Sequence, residues 1–505
     1  MSDDPAMIRS MVLLVAGFGA LLAGAQRAGY DQPYRPQVHF SPRENWTNDP
    51  NGLVYFRGEY HLFFQYNPFG DVWGHMSWGH AVSTDLLHWR ELPVAIPEKA
   101  GEMVFTGSVV VDHANSSGLC AAGTECMVAV YTGYRKDEKR TLQNQNLAYS
   151  RDAGRTWTRY EGNPVLDLHM SDFRDPSVFW DEKGGSDKKG HWVMAVALPL
   201  EHKVRLYRSP DLKQWTQMSE FGPMGAVSGD WECPDLVRVP PEKKGGAEVW
   251  VMKVGLNPGA LQGGSGEQYF VGSFDGTRFN VGTESGAHGW TNYGKDDYCA
   301  ISFNNLPAGA KPMLLGWMSN WQYAAKLPTS PWRGQMSVPR RLSYVRDAAG
   351  VALRQEPVIA QLRGAHAGVV SAAEIVREAP FEMVLHFDPK AQTAFGVKLY
   401  SDEEHWTEIG FDPVTRVFYM DRMHAGEAVA PEFPVKTDAP LSKDRLYDLH
   451  LIVDRSSVEA FAQDGTIAMT NLVFPRSPRT RVVFFARDGE KPAVKGEVWT
   501  LRSIW

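Results

Sequence analysis

Through the middle of the chain, apolar and polar residues alternate over short runs, and Gly, Pro, Asp and Asn punctuate them. Few windows carry a helical period. Period-two runs bounded by turn residues predict strands joined by tight turns. The last part, about 373–505, keeps the alternation in "FEMVLHF", "LYDLHLIVD" and "RVVFFA". It reads as a β-sandwich packed on whatever precedes it.

One turn recurs: "STDLLHW" from Ser83, "SRDAGRTW" from Ser150, "SPDLKQW" from Ser209 and "SFDGTRF" from Ser273, with a weaker fifth, "SYVRDAAG", from Ser343. The steps between starts are 67, 59, 64 and 70 residues, which suits a four-stranded blade with decorated loops. The Asp caps hairpin N–H groups and the aromatic packs between blades. The fold class predicted is therefore all-β: a five-bladed β-propeller over 35–345, a linker over 346–372 and a β-sandwich over 373–505. The competing reading is a set of unrelated hairpins in sandwich domains. "SRDAGRTW" fits the Asp-box pattern Ser-x-Asp-x-Gly-x-Thr-Trp of sialidases, a hairpin device that argues for a propeller and says little about chemistry.

The start lies outside this pattern. "MVLLVAGFGALLAGA" (Met11 to Ala25) is an apolar run preceded by Arg9 and closed by Ala-Gly-Ala. It resembles a secretory signal peptide over 1–25, so a secreted or periplasmic location is expected. A membrane anchor is the rival, but a spanning helix needs about 20 apolar residues. Export permits disulfides, and Cys120 and Cys126 flank the tight loop "AAGTE", so a bridge between them is expected. Cys233 and Cys299 are expected to be buried free thiols, and no cysteine spacing fits a structural zinc site. Net charge is −7 with no long basic run, which makes nucleic acid and anionic membranes poor partners and a neutral substrate a better one. The 17 Trp suit stacking on sugar faces, although core packing accounts for most of them.

Measured against the repeat, Asp49 lies 34 residues before Ser83, Asp175 lies 34 before Ser209, and Glu232 lies 41 before Ser273. Each sits beside a Pro at the entry of an apolar or aromatic strand. In a propeller the first strand of each blade lines the channel, so three distant carboxylates are expected to meet at one mouth. Such a cluster suits either a Ca²⁺ or Mg²⁺ site or glycoside hydrolysis, where the environments must set two carboxyls in different protonation states. The nearby Trp46, Trp73, Trp78 and Trp231 favour a sugar. No Asp-x-Asp-x-Asp run favours metal, and no cofactor is called for.

"WTNDPNG", "FRDP" and "WECPD" resemble the three signatures of glycoside hydrolase family 32, the invertases, inulinases and levanases. "FFQYNP", "WGHMSWGHA", "FTGS" and "GWMSNWQYA" follow in the family's order, and "VDRSSVEAFAQDG" resembles its C-terminal sandwich. "NPGALQGGSGEQYFVGSFDG" and "LPTSPWRGQMSVPRRL" look most like the exo-acting inulinases and levanases. The resemblance implies release of terminal fructose from fructans, with sucrose as a second substrate. It implies Asp49 as nucleophile, Glu232 as general acid and base, and Asp175 as stabiliser of the transition state. It makes the reaction retaining, with the two carboxyls about 5–5.5 Å apart. Asn48, Gln65, Trp73, Phe105, Ser108 and Arg174 would bind the fructosyl unit, with Trp317 and Trp321 as candidate pocket walls. Arg174 has a second reading, a plain structural ion pair.

Two departures stand out. Thr106 occupies a position where many relatives have Ser. Asp297, in "YGKDDYCA", replaces a usual aromatic and is expected to add a charge near the pocket rim. The rivals are a fructosyltransferase of the same family, an inverting arabinanase-like furanosidase and a non-catalytic fructan-binding protein.

Overall fold

A computed structural model describes residues 29–136, 140–182, 190–243, 245–348, 350–366, 374–388, 393–426, 428–443, 445–488 and 493–505, with the backbone alone at 367–369. The expected signal peptide lies outside the described residues.

Five sheets, antiparallel apart from one short parallel pair, carry the first part of the chain, with inner strands Asn45–Phe56, Glu102–Asp112, Arg174–Asp181, Asp230–Val239 and Tyr298–Ser302. Each inner strand contacts the next, and the fifth contacts the first, which closes a ring of five blades. The sequence ruler works because Asp85, Asp152, Asp211 and Asp275 each accept backbone N–H groups of their own hairpins. The fifth mark behaves differently. Ser343 sits within the strand Arg340–Asp347, and the turn of that blade falls at Asp347 and Gly350.

The apolar faces meet between blades. Val54, Phe63, Trp78, Val109 and Tyr131 fill the joint of the first two blades, and Trp46, Leu62, Tyr298, Leu315 and Trp317 fill the joint that closes the ring. Trp332–Arg333 reaches back and pairs in parallel with Asn45 and Trp46. Gly52 explains part of "DPNG": its φ is +52°, and a Cβ there would lie 2.6 Å from Val109.

The C-terminal part is two six-stranded antiparallel sheets packed face to face around Phe381, Leu385, Phe395, Ile409, Leu451 and Val482. The stretch 346–372, expected as a linker, carries strands instead. Gly350–Pro357 pairs with Arg340–Asp347 as the outer strand of the fifth blade, and Arg363–Val369 pairs with Val494–Leu501 in the sandwich. The chain passes between the two units at 358–362.

A buried polar network joins propeller and sandwich. His39 lies 2.8 Å from Asp454 and 2.9 Å from Glu459, and Arg340 lies 2.6 Å from Glu459 and 2.7 Å from Asp297. Beside it, Val38, Leu87 and Val338 pack on Ile452, Phe461 and Leu501.

Candidate active site

Every inner strand carries a register shift near its start: Thr47/Pro50, Val104/Gly107, Arg174/Ser177, Glu232/Asp235 and Tyr298/Ile301. Two residues on each inner strand are left without a partner there, which bends the strand and re-aims side chains. The five bulges ring one mouth of the channel. Asp175, Cys233 and Cys299 occupy the same place in their bulges and all have positive φ (65°, 49° and 49°). Such values are uncommon for residues other than glycine and persist only where the surroundings impose them.

The three acids meet, but from three different steps of the bulge. Glu232 stands just before it, Asp175 is its first residue, and Asp49 is its second. Spacing alone suggests equivalent places; the bulge is what brings unequal positions to one point.

Asp49 Oδ2 accepts a 2.8 Å hydrogen bond from the Thr106 hydroxyl, while Oδ1 is buried with no partner. Trp46 Nε1 donates to Asn48 Oδ1 (2.8 Å), which fixes the amide beside Asp49. Asp175 Oδ2 accepts from the Cys233 N–H (2.9 Å), and the Asp175 N–H donates to the Thr132 hydroxyl (2.9 Å). Arg174 donates to Glu232 (3.0 Å) and Asp172 (2.8 Å), and the Tyr298 hydroxyl donates to the other oxygen of Glu232.

Burial pushes the Asp49 carboxyl up to about 6, the charge of Glu232 adds to this, and Thr106 and Asn48 oppose it. Burial also raises Asp175; Arg174 opposes, and Glu232 and Asp49 add to the rise. Burial alone would lower Arg174, but Glu232, Asp175 and Asp172 more than offset it and keep the guanidinium charged. Tyr298 is held well above its ordinary value by burial and by Glu232.

The other expected residues distribute around this centre. Phe105 flanks Thr106, stacks on Tyr134 at 4.4 Å and meets Trp73 edge-on at 6.1 Å. Trp73 is 43% exposed, so its ring is free to meet a ligand at the rim. Gln65 donates to the Val104 carbonyl (3.0 Å) and ties the first blade to the second at its bulge. Ser108 lies beyond the bulge, in the channel wall, where its hydroxyl accepts the Val178 N–H (2.9 Å). Trp317 is buried, and Trp321 lies half-buried with its ring 4.9 Å from that of Trp317 and 5.9 Å from that of Trp46.

Three readings change. Trp231 does not wall the site: its indole donates to the Ala226 carbonyl and packs on Phe221 in the joint between the third and fourth blades. Asp297 is not at the rim; it is buried against Arg340 and Asn292, facing the sandwich. Cys233 and Cys299 are not free thiols but a disulfide with sulfurs 2.03 Å apart, while Cys120 and Cys126 form the other bridge.

Two family models match most of the chain. The N-terminal domain of glycosyl hydrolases family 32 matches residues 39–357, and the family's C-terminal domain matches 352–500. The chain belongs to glycoside hydrolase family 32. Among its relatives, a levanase of Bacillus subtilis is 41% identical over 99% of this chain and 75% of its own length. An extracellular exo-inulinase of Aspergillus awamori is 37% identical, covering 94% of this chain and 96% of its own. The crystal structure of exo-inulinase from that species superposes with a TM-score of 0.87, at 36% identity over 94% of this chain and 100% of that one. A β-fructofuranosidase of Schwanniomyces occidentalis complexed with fructosyl-erythritol superposes with a TM-score of 0.83, at 32% identity over 94% and 99%. The family's two-domain organisation thus coincides with the propeller and sandwich seen here.

Sequence reasoning misses several residues that surround the three acids. Tyr298, Thr132, Asp172, Gln143 and Asp230 all touch Asp175 or Arg174 or Glu232. Asp172 stands one residue before "FRDP" and Tyr298 one residue after Asp297, so both lie within reach of the motifs. Thr132 and Gln143 lie on second and third strands and carry no local signal.

Proposed function

We propose that the chain is a retaining β-fructofuranosidase that removes terminal β-D-fructofuranosyl units from levan or inulin and also cleaves sucrose. The names and structures of its relatives support the substrate class; the roles below are our assignment.

Asp49 attacks the anomeric carbon of the terminal fructose through Oδ1, the oxygen without a partner. The glycosidic C–O bond breaks as Glu232 passes a proton to the leaving oxygen. Water then gives a proton to Glu232 and attacks the same carbon, which frees Asp49 and leaves the anomeric configuration retained. Asp175 binds sugar hydroxyls and balances the oxocarbenium-like charge. Thr106 and Asn48 keep Asp49 anionic, and Arg174 with Tyr298 aims Glu232 from the neighbouring blades. Trp73 and Phe105 supply the rim on which the sugar rests.

One observation carries the reading: a buried carboxylate with one free oxygen stands at the same mouth as a second carboxylate gripped on both oxygens. Export to the periplasm or the medium fits the apolar leader, and no described helix is long and apolar enough to cross a membrane.

The test is the anomer first released from sucrose or inulin, followed by NMR, with the product profile on levan and inulin. Retained configuration and fructose as the main product are expected. An inverted first product removes the covalent intermediate, and longer fructosyl products in place of free fructose make the chain a transferase.

A further inference from the structure

We propose that the Cys233–Cys299 disulfide is a positioning element of the hydrolytic site, so that the oxidised protein is the active form; this rests on the reading of Glu232 as proton donor. The bridge joins the inner strands of the fourth and fifth blades inside their bulges. Cys233 directly follows Glu232, Cys299 directly follows Tyr298, and the Tyr298 hydroxyl donates to Glu232. One covalent link therefore sets the spacing of the two backbone steps from which that hydrogen-bonded pair emerges.

The bridge also reaches the other two acids. The Cys233 N–H donates to Asp175 Oδ2 at 2.9 Å, and its sulfur lies 3.9 Å from Asp49 Oδ2. Both cysteines hold φ +49°, a conformation that must be imposed from outside the residue. Both are buried, at 2% and 0% exposure, so the bridge is packed into the site and not draped over it. The Cys120–Cys126 bridge spans only a six-residue separation in an outer loop of the second blade and touches none of these groups.

A dithiol opens the bridge in two steps. One thiolate attacks a protein sulfur and breaks the S–S bond; the second thiol then closes a cyclic disulfide on the reagent. Cys233 and Cys299 leave as thiols, with two electrons and two protons passed to the protein. The bulges are then free to relax, and a displacement of about 1 Å at a catalytic group costs up to about 100-fold in rate.

The experiment uses the full chain carrying Cys120→Ser and Cys126→Ser, which leaves the 233–299 bridge alone. Dithiothreitol is added, thiols are trapped by alkylation and counted by mass spectrometry, and kcat and KM on sucrose are measured below the melting temperature. As two thiols appear, kcat falls about tenfold or more, KM changes less than about threefold, and reoxidation restores kcat. Cys299→Ala, or Cys299→Ser if the first does not fold, lacks the bridge whether or not the reagent reaches it, and shows the same split. A folded protein without the bridge that keeps full kcat overturns the proposal, and so does a loss of Tm alone. Full turnover in Glu232→Gln would instead overturn the assignment of the proton donor, whatever the bridge does.

Discussion

Two buried charge clusters, the channel mouth and the joint between propeller and sandwich, use the same residue types to opposite ends. At the joint, the cations His39 and Arg340 meet Asp454, Glu459 and Asp297. At the mouth, among the described residues, the single cation Arg174 faces Asp172, Asp175, Asp230 and Glu232, with Asp49 beside them. Burial raises a carboxyl in both places, but its partners decide the net direction. Glu459 accepts from Val338, His39 and Arg340 and is held down to about 2. Asp49 has one hydroxyl donor and an orphan oxygen and is pushed up to about 6. An oxygen without a partner is not enough by itself, since Asp297 Oδ1 at the joint is also buried without one; Asp49 differs in standing at the channel mouth beside Glu232.

The sharpest way to break this contrast is to neutralise the mouth. Asp49→Asn is expected to lower kcat about 10⁴-fold or more, with Glu232→Gln next, while both remain folded by circular dichroism. A rate within tenfold of the parent for either would remove that residue from the chemistry.

Cutting the joint is the next largest effect and falls on stability. Arg340→Met leaves Asp297 without its cation and Glu459 with His39 alone, at a cost of about 3–5 kcal/mol. Denaturant unfolding reads that loss, and the remaining folded protein should keep the parent kcat.

The pH dependence of stability separates the clusters by sign. Asp49 has a folded pKa above its ordinary value, so its charge opposes folding increasingly as pH rises from about 4 to about 6. Asp49→Asn should therefore match the parent in unfolding free energy below about pH 4 and exceed it above about pH 6, by up to about 3 kcal/mol, as read by denaturant unfolding. At the joint, Glu459 stabilises above its ordinary pKa, and that contribution fades as pH falls toward 2. His39, raised to about 9, stabilises fully below its ordinary pKa and loses that contribution as pH climbs through 9.

The smallest effect concerns Thr106. Its hydroxyl favours the ionised form of Asp49, so Thr106→Val should move the acid limb of kcat/KM to higher pH and lower turnover about tenfold. Thr106→Ser keeps the donor and should stay within about twofold. An unmoved acid limb in the valine variant would detach that limb from Asp49.

Much of the fold and the site is legible in the chain because turns and strand entries are local. Asp85, Asp152, Asp211 and Asp275 cap hairpins within a few residues of themselves, so their period exposes four of the five blades. The Asp-Pro and Glu-Cys-Pro steps mark the acids for the same reason. The fifth blade shifts off the ruler because its turn falls at Asp347 and Gly350, four residues past the mark at Ser343, which lies inside the strand. Trp231 escapes it because nothing local tells which side of a bulge a ring takes.

Alone, the sequence determined the strands, the hairpin caps, the acids and the family, since each rests on residues close together along the chain. Closure of the ring decided the rest: which step of each bulge meets the mouth, that Tyr298 and Arg174 hold Glu232, that Asp297 belongs to the joint, and that Cys233 bonds Cys299. Those partners come from different blades or from the sandwich, and only packing brings them within bonding distance.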